Sequence, residues 1–234
     1  MHTQASKPRR ICEARWLGVV QYDDGLRIQE RAVEGLRLGQ SLEQLFLLEH
    51  PHVFTLGRGA DSSNILADSQ ELESNLVDVY ETGRGGDVTY HGPGQLVGYP
   101  IVDLKPDRCD VHRYVRDIEE VLIRTIAEFG VSGIRIPGLT GVWVGNEKIG
   151  AIGVRIARWI TSHGFALNIN TDLSYFKMIV PCGIADKGVT SLARLSGQKI
   201  ELESVAQAVA SHFGEIFDRD LRFVESAPLQ ETSA

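Results

Sequence analysis

A cysteine held between a proline and a glycine is the residue of this sequence best suited to nucleophilic chemistry. Cys182 stands in Ile-Val-Pro-Cys-Gly-Ile, where Pro181 restricts the backbone and Gly183 leaves room for a substrate to approach. Cys12 lies near the N-terminus, and Cys109 lies between aspartates that disfavour a thiolate. The alternative interpretation of Cys182 is a small buried apolar residue, which is the usual fate of an unpaired cysteine.

A lysine just after a predicted hairpin turn is a second candidate. Gly145-Asn146 is typical of a tight turn, and Lys148 follows two positions later. Strand alternation predicts that Lys148, Gly150 and Ile152 share one face, so that the lysine would lie over a groove floored by glycine. Partial desolvation there would favour its neutral amine. The alternative is a solvated lysine at a strand edge.

The glycine-rich stretch 83–95 indicates a backbone that approaches something closely. Its glycine spacing fits neither a P-loop nor a dinucleotide fingerprint. The stretch displays polar groups on Arg84, Tyr90, His91 and Gln95. A tight turn with an ordinary histidine explains the pattern equally well, and His163, before Gly164, has the same two interpretations.

The elements that must position these residues read as α+β. Apolar residues recur at three- and four-residue steps and predict helices over about 24–38, 111–129 and 202–217. Short apolar runs predict strands at 45–48, 53–56, 96–102, 141–144, 147–156 and 164–170. Because the helices do not alternate regularly with the strands, we expect a mixed, mostly antiparallel sheet flanked by helices. One domain over 10–225 is expected, with polar tails at 1–9 and 226–234.

Composition and charge narrow the function classes. The chain has 234 residues, 43% of them hydrophobic, and a net charge of -7. This charge argues against nucleic acid as a partner, and no apolar run is long enough for a membrane span. An odd number of cysteines without C-x-x-C predicts free thiols in a reducing, cytoplasmic location, and a short basic N-terminus is only a weak mitochondrial signal. His50 and His52 flank Pro51 without a third ligand, so no metal site is expected.

Five segments together resemble the lipoyl(octanoyl) transferase family. They are Arg-Gly-Gly-Asp-Val-Thr-Tyr-His-Gly-Pro-Gly-Gln-Leu-Val-Gly-Tyr-Pro at 84–100, Glu-Lys-Ile-Gly-Ala-Ile-Gly-Val at 147–154, His-Gly-Phe-Ala-Leu-Asn at 163–168, Pro-Cys-Gly-Ile at 181–184 and Gly-Val-Thr-Ser-Leu at 188–192. They occur in the family's order, and the resemblance extends over roughly 15–218. It implies the fold of biotin and lipoate protein ligases.

The resemblance also implies roles for individual residues. Cys182 would carry an acyl thioester, and Lys148 would be its activating partner. The residues implied to bind the substrate are Arg84, Gly85, Gly86, Asp87, Val88, Thr89, Tyr90, His91, Ala151, Ile152, Gly153, Gly164, Phe165 and Ala166.

The implied partners are two kinds of carrier. The donor would be octanoyl on the phosphopantetheine of acyl carrier protein. The acceptors would be lipoyl domains of 2-oxoacid dehydrogenase complexes and the glycine cleavage H protein. No cofactor is expected, and we expect a monomer. Because carrier domains are acidic, a basic rim is also expected, with Arg58, Arg84, Arg155 and Arg158 as candidates.

Two other functions fit the same sequence less well. A lipoate or biotin ligase would activate a free acid with ATP, and it would need a phosphate cradle but no nucleophilic cysteine. A non-catalytic acyl-binding or carrier-binding protein would use neither Cys182 nor Lys148. ATP dependence separates the first alternative from the thioester mechanism, and loss of turnover in Cys182→Ala separates the second.

Overall fold

The computed structural model describes residues 8–180 and 187–224. The helices are α1 (Tyr22–Arg37), α2 (Ser69–Ser74), α3 (Val111–Glu128), α4 (Leu192–Ser196) and α5 (Leu202–Phe217). The strands are β1 (Arg10–Val19), β2 (Glu43–Glu49), β3 (Val53–Leu56), β4 (Asp78–Glu81), β5 (Val88–His91), β6 (Gln95–Ile101), β7 (Ile134–Ile136), β8 (Leu139–Val144), β9 (Glu147–Ala157), β10 (Ile160–Asn168), β11 (Gly188–Val189) and β12 (Arg219–Phe223). Single 3₁₀ turns occupy Ser62–Asn64 and Leu173–Met178.

One large mixed sheet organises the described residues. Its strand order is β12-β1-β2-β6-β10-β9-β8-β7, and the short β11 also pairs with β9. β1 runs parallel to β12 and β2, β11 runs parallel to β9, and the remaining pairs are antiparallel. The predicted α+β class with a mixed, mostly antiparallel sheet is therefore confirmed.

The helices cover both faces of this sheet. On one face, α3 and α5 bury Tyr114, Leu122 and Phe213 against the core side of the strands. On the other face, α1 packs Ala32 against a cluster that includes Ala166 of β10. Each fully buried large apolar side chain contributes about 1.5–3 kcal/mol, so these two layers hold the central strands firmly.

The predicted helices are present with small boundary differences. α3 begins after Asp110, whose carboxylate accepts a hydrogen bond from the backbone N–H of Arg113, and Gly130 follows its end with φ +78°. α5 has the predicted bounds, and α1 begins two residues earlier than expected. None of the helices in the described ranges is long and apolar enough to cross a membrane.

A smaller sheet stands beside the large one. Its strand order is β4-β3-β5, with β3 parallel to β4 and antiparallel to β5. Phe54, Val88, Tyr90 and Ile179 form its own apolar cluster. The glycine-rich stretch of the sequence therefore contains strand β5, and it reaches the large sheet where Gly85 donates its backbone N–H to the carbonyl of Val154.

The predicted polar tails fall almost wholly outside the described residues. Residues 8 and 9 are described, and they are exposed. The single-domain assignment stays a prediction.

Candidate active site

A cavity of about 490 Å³ opens between the two sheets. Its lining comes from segment 84–91, from strands β6, β9 and β10, from the start of α3 and from the turn before β8. The predicted site residues that line it are Lys148, Arg84, Gly85, Gly86, Asp87, Val88, Thr89, His91, Ala151, Ile152, Gly153, Gly164, Phe165 and Ala166. The fold thus gathers three sequence-distant segments around one space.

Lys148 enters this cavity from the β8–β9 hairpin. Gly145 has φ +58° in the turn, so the predicted Gly-Asn hairpin is present. The lysine Nζ lies 4.8 Å from the centre of the Trp143 ring. Its Cε and Cδ would lie 3.4 and 3.6 Å from a Cβ placed on Gly141, so the alkyl stem crosses β8 at a residue without a side chain.

The prediction that Lys148, Gly150 and Ile152 share one face of β9 is wrong, because the strand contains a bulge. Val142 pairs with Gly150 whereas Trp143 pairs with Lys148, so β9 has one extra residue at this point. The extra residue turns both Ile149 and Gly150 towards the core, where a Cβ on Gly150 would lie 3.1 Å from Leu122. Lys148 consequently does not share a face with Gly150 and Ile152.

Small residues beyond the bulge form a slot beside Lys148. Ala151 pairs with Ala166, and Gly153 pairs with Gly164 across β9 and β10. A Cβ on Gly164 would lie only 2.1 Å from the carbonyl oxygen of Gly98, so no other residue fits there. The lining of this slot by small apolar residues suits an unbranched hydrocarbon chain.

Arg84 is buried at one wall of the cavity. Its Nη2 donates to the carbonyl oxygen of Thr55 at 2.5 Å, and its Nη1 donates to the carbonyl of Gly85 at 3.0 Å. A Cβ on Gly57 would lie 2.3 Å from the Gly86 carbonyl, so the glycines of this stretch permit close backbone packing. Because Arg84 is only 6% exposed, its assignment to a carrier-binding rim is wrong.

Tyr90 does not line the cavity, in contrast to the expectation for it. Its ring belongs to the cluster of the small sheet and stacks on Tyr175 with a centroid distance of 5.0 Å. Its hydroxyl hydrogen-bonds to Nδ1 of His52 at 2.9 Å. The physical reason is strand alternation: His91, the next residue of β5, faces the cavity instead.

Three histidines beside the cavity are held in the neutral form. Burial lowers the pKa of His50 to about 4, and burial together with His50 lowers that of His91 to about 3. Burial and the nearby Arg84 lower the pKa of His163 to about 4. His50 Nδ1 donates to the carbonyl of Val20, so its Nε2 accepts from the hydroxyl of Tyr99 at 2.7 Å.

A chain of buried hydrogen bonds joins His91 to the strand of Lys148. Nδ1 of His91 donates to Oε1 of Gln95 at 2.7 Å, and Nε2 of Gln95 donates to Oδ1 of Asn168 at 2.9 Å. Nδ2 of Asn168 donates to the carbonyl of Thr190 at 3.0 Å. The backbone N–H of Thr190 donates to the carbonyl of Lys148, also at 3.0 Å. Each member fixes the orientation of the next one.

Cys182 lies outside the described residues, so the structure gives no position for it. The last described residue before Cys182 is Val180, whose N–H donates to the carbonyl of Asn64. The first described residue after Cys182 is Lys187, whose Nζ donates to Oδ1 of Asn146 in the hairpin turn. The next residues are β11, which pairs with Glu147 and Lys148.

Comparison with solved structures identifies the fold. Lipoate-protein ligase A bound with ATP superposes with a TM-score of 0.71 at 17% identity, over 92% of this chain and 90% of that one. Biotin protein ligase from Aquifex aeolicus, in complex with biotin and ATP, gives 0.55 at 12% identity, over 88% and 70%. The expected biotin/lipoate ligase-like fold is confirmed.

Comparison of sequences decides the family. Residues 21–214 match the lipoyl protein ligase A/B catalytic domain. The octanoyltransferase of Solibacter usitatus is 51% identical over 212 residues, which cover 91% of this chain and 96% of that protein. This chain belongs to the octanoyltransferase family. The family expected from the five motifs is thereby confirmed.

The sequence did not single out several lining residues of this octanoyltransferase-family site. They are Tyr22, Val97, Tyr99, Val111, Val115, Gly138, Leu139, Thr140 and Val154. Tyr22 is the first residue of α1 and lies before the predicted helix 24–38. Val111 and Val115 begin α3, and their periodicity indicated only helix packing. Tyr99 lies in segment 84–100, and its membership of that motif was the one available signal.

Exposed arginines flank the glycine-rich wall. The backbone N–H of Arg58 donates to the carbonyl of Arg84, and the Arg155 guanidinium would lie 3.3 Å from a Cβ on Gly83. Arg158 is exposed in the β9–β10 turn with φ +53°. Within the described ranges, no three His, Cys, Asp or Glu side chains are grouped as metal ligands would be.

Proposed function

We propose that this protein transfers an octanoyl group from a carrier thioester to a lysine of a lipoyl domain, with Cys182 as the nucleophile. The observation that carries the proposal is Lys148 beside a slot of small residues on β9, the strand with which β11 pairs. β11 begins six residues after Cys182. Membership of the octanoyltransferase family supports the acyl group and the reaction class.

The first half-reaction forms the acyl enzyme. The Cys182 thiolate attacks the thioester carbonyl, and the carbon–sulfur bond to phosphopantetheine breaks as the new carbon–sulfur bond forms. The released carrier thiolate takes a proton from the Lys148 ammonium, which leaves Lys148 neutral. An ammonium on Lys148 favours the attacking thiolate, because a nearby cation stabilises the charged form of cysteine.

The second half-reaction transfers the acyl group to nitrogen. The neutral amine of the acceptor lysine attacks the carbonyl of the octanoyl thioester, and the Cys182 thiolate leaves. A solvated lysine is almost fully protonated near pH 7, so the acceptor must lose a proton on binding. Two protons leave the acceptor in all: one passes to solvent on binding, and neutral Lys148 is the proposed acceptor of the second as the amide forms, which returns Lys148 to the ammonium form.

The acyl chain occupies the slot between β9 and β10 in this proposal. Ala151, Gly153, Gly164 and Ala166 line this part of the cavity with small side chains, and Phe165 and Ile152 add apolar surface. Burial of each methylene of the chain contributes about 0.8 kcal/mol. The slot therefore binds the part of the substrate that does not react, and it holds the carbonyl near Lys148.

The proposed donor is acyl carrier protein, and the proposed acceptors are lipoyl domains. Exposed Arg58 and Arg155 lie beside segment 83–86, and Arg158 is exposed in the β9–β10 turn, on a protein of net charge -7. Such exposed cations suit acidic carriers, because rim charges mainly steer association. A cytoplasmic location and a monomeric state remain predictions.

The competing function is an ATP-dependent lipoate or biotin ligase. The shared fold does not separate the two functions, since the superposed ligases differ from this chain at more than four positions in five. The proposal favours the thioester route because a ligase has no use for a Pro-Cys-Gly nucleophile. A non-catalytic binding protein would likewise need neither Cys182 nor Lys148.

A transfer assay with defined components separates these functions. Octanoyl acyl carrier protein and an unmodified lipoyl domain are mixed with the protein without ATP, and the mass of the lipoyl domain is recorded. The account predicts octanoylation by the native protein and by the control Cys109→Ser, and none by Cys182→Ser. Octanoylation only with free octanoate and ATP would overturn the proposal in favour of the ligase.

A further inference from the structure

Trp143 and Lys148 form a directly opposed pair across the β8–β9 hairpin. The bulge at Ile149 and Gly150 sets this register, and directly opposed residues of antiparallel strands extend from the same face. The Nζ of Lys148 stands 4.8 Å from the centroid of the Trp143 ring. This separation lies within the range of about 6 Å over which an ammonium is attracted to an aromatic face.

The pair is shielded from water on the tryptophan side, since Trp143 is only 1% exposed. The Lys148 stem passes over Gly141, which has a φ of +124°, a conformation that favours glycine. The Gly141 N–H is itself held by Oε1 of the buried Glu119 at 3.0 Å. A cation on a desolvated ring is held more strongly than one on an exposed ring.

The indole N–H of Trp143 explains little about why tryptophan occupies this position. Nε1 is buried and has no hydrogen-bond partner among residues 8–180 and 187–224, which costs free energy that phenylalanine would avoid. Tryptophan offers the strongest cation-binding face of the aromatic side chains. The free-energy cost of the unpaired N–H therefore suggests that the ring face is what makes tryptophan useful here. The Lys148 ammonium lies over that face.

We infer that Trp143 is a positioning residue that holds the Lys148 ammonium at the cavity by its aromatic face. The inference rests on the proposed function, in which Lys148 assists Cys182. The ring favours the charged lysine, so it supports formation of the acyl thioester by keeping the cation in one place. A side chain of similar size without an aromatic face would lack this attraction for the Lys148 ammonium.

The geometry is tested first by NMR, without any turnover. Protein labelled with ¹³C-lysine gives a Cε–Hε signal for Lys148, which is assigned by its loss in Lys148→Arg. The ring current of Trp143 should shift this signal upfield, and Trp143→Leu should return it to the position of a solvated lysine. A native signal already at the solvated position would overturn the inference.

The functional role is tested with tryptophans of graded fluorination placed at position 143. Fluorine withdraws charge from the ring face and weakens cation binding with little change in shape. We expect the single-turnover rate of Cys182 acylation to fall in steps, reaching a loss of about 2- to 30-fold for the most fluorinated ring. Trp143→Phe should retain more activity than Trp143→Leu.

The same series at Trp16 is the matched control. Trp16 packs against the core from β1 and does not line the cavity, so its fluorination should leave the rate unchanged. A rate that stays flat across the series at position 143 would overturn the positioning role. Failure of the native protein to form any thioester would instead refute the proposed function, and the NMR shift would still report the pair.

Discussion

The backbone N–H of Thr190 donates to the carbonyl oxygen of Lys148 at 3.0 Å. Thr190 follows β11, and its own carbonyl accepts from Nδ2 of Asn168, which is 4% exposed. Asn168 in turn accepts from Gln95. The buried side-chain amide of Asn168 thus connects Thr190, which bonds to the strand of Lys148, with Gln95, which bonds to His91 of β5.

Asn168→Ala should damage both stability and activity. The Thr190 carbonyl loses the donor on Asn168, and Gln95 Nε2 loses one of its two acceptors and keeps the carbonyl of Tyr90. This should lower the free energy of unfolding by about 1–3 kcal/mol, measured with urea. Loosening of the β9–β11 contact should also lower the rate of Cys182 acylation. Asn170→Ala is the control, because within the described ranges the Asn170 side chain bonds only to the backbone of Ile200, at similar distances. If both variants lose activity equally, Asn168 has no special role.

Ala151→Leu should change the selectivity for acyl chain length. The added side chain enters the slot between β9 and β10, so kcat/KM for octanoyl carrier should fall about 10- to 100-fold. A butyryl carrier needs less of the slot and should be affected less. Ala157→Leu, at the exposed end of the same strand, should leave both donors unchanged. An equal loss for the two donors would show that the chain does not lie there.

The neutral histidines should make stability fall between pH 7 and pH 5. The pKa of His91 is lowered to about 3 and that of His50 to about 4, whereas unfolded histidine titrates near 6.5. The unfolded chain therefore binds more protons below pH 6.5, and the free energy of unfolding drops by up to about 2 kcal/mol per histidine at pH 5.

Urea titrations at pH 7 and pH 5 measure this loss. His91→Gln should show a smaller loss than the native protein, because one site no longer takes up a proton on unfolding. The exposed His112→Gln serves as the comparison and should lose as much as the native protein. Stability that rises on acidification over this interval would contradict the account.

Charge reversal at the cavity margin should weaken use of the carrier. Arg155→Glu should raise KM for octanoyl carrier roughly two- to tenfold with a smaller effect on kcat, and added salt should reduce the difference. Arg37→Glu has the same change in net charge at the exposed end of α1 and should leave KM unaltered. A KM that is indifferent to Arg155→Glu at low salt would place the carrier elsewhere.

Local patterns predicted much of the fold. The apolar spacing of α3 and α5 needs only the helical repeat, and both were predicted almost to the residue. Strand β1 was missed although Glu13 and Arg15 alternate with buried Cys12 and Ala14, and its partner β12 is more than 200 residues away. Pairing over such a distance leaves little trace in a short window of sequence.

The site was predicted from motifs better than from alternation. Segments 84–91, 151–153 and 164–166 do line one cavity, except for Tyr90. Alternation failed at Gly150 because the bulge depends on the partner strand β8. The bonds from His91 through Gln95 to Asn168 join positions up to 73 residues apart, and no local pattern predicts them.

The central claim is an octanoyl thioester on Cys182, and intact-protein mass tests it most directly. The protein is mixed with octanoyl acyl carrier protein, without ATP and without an acceptor, and its mass is recorded. The account predicts a gain of one octanoyl group that hydroxylamine removes, that Cys182→Ala abolishes and that Cys109→Ser retains. No adduct on the native protein, while transfer to a lipoyl domain still proceeds under the same conditions, would contradict it.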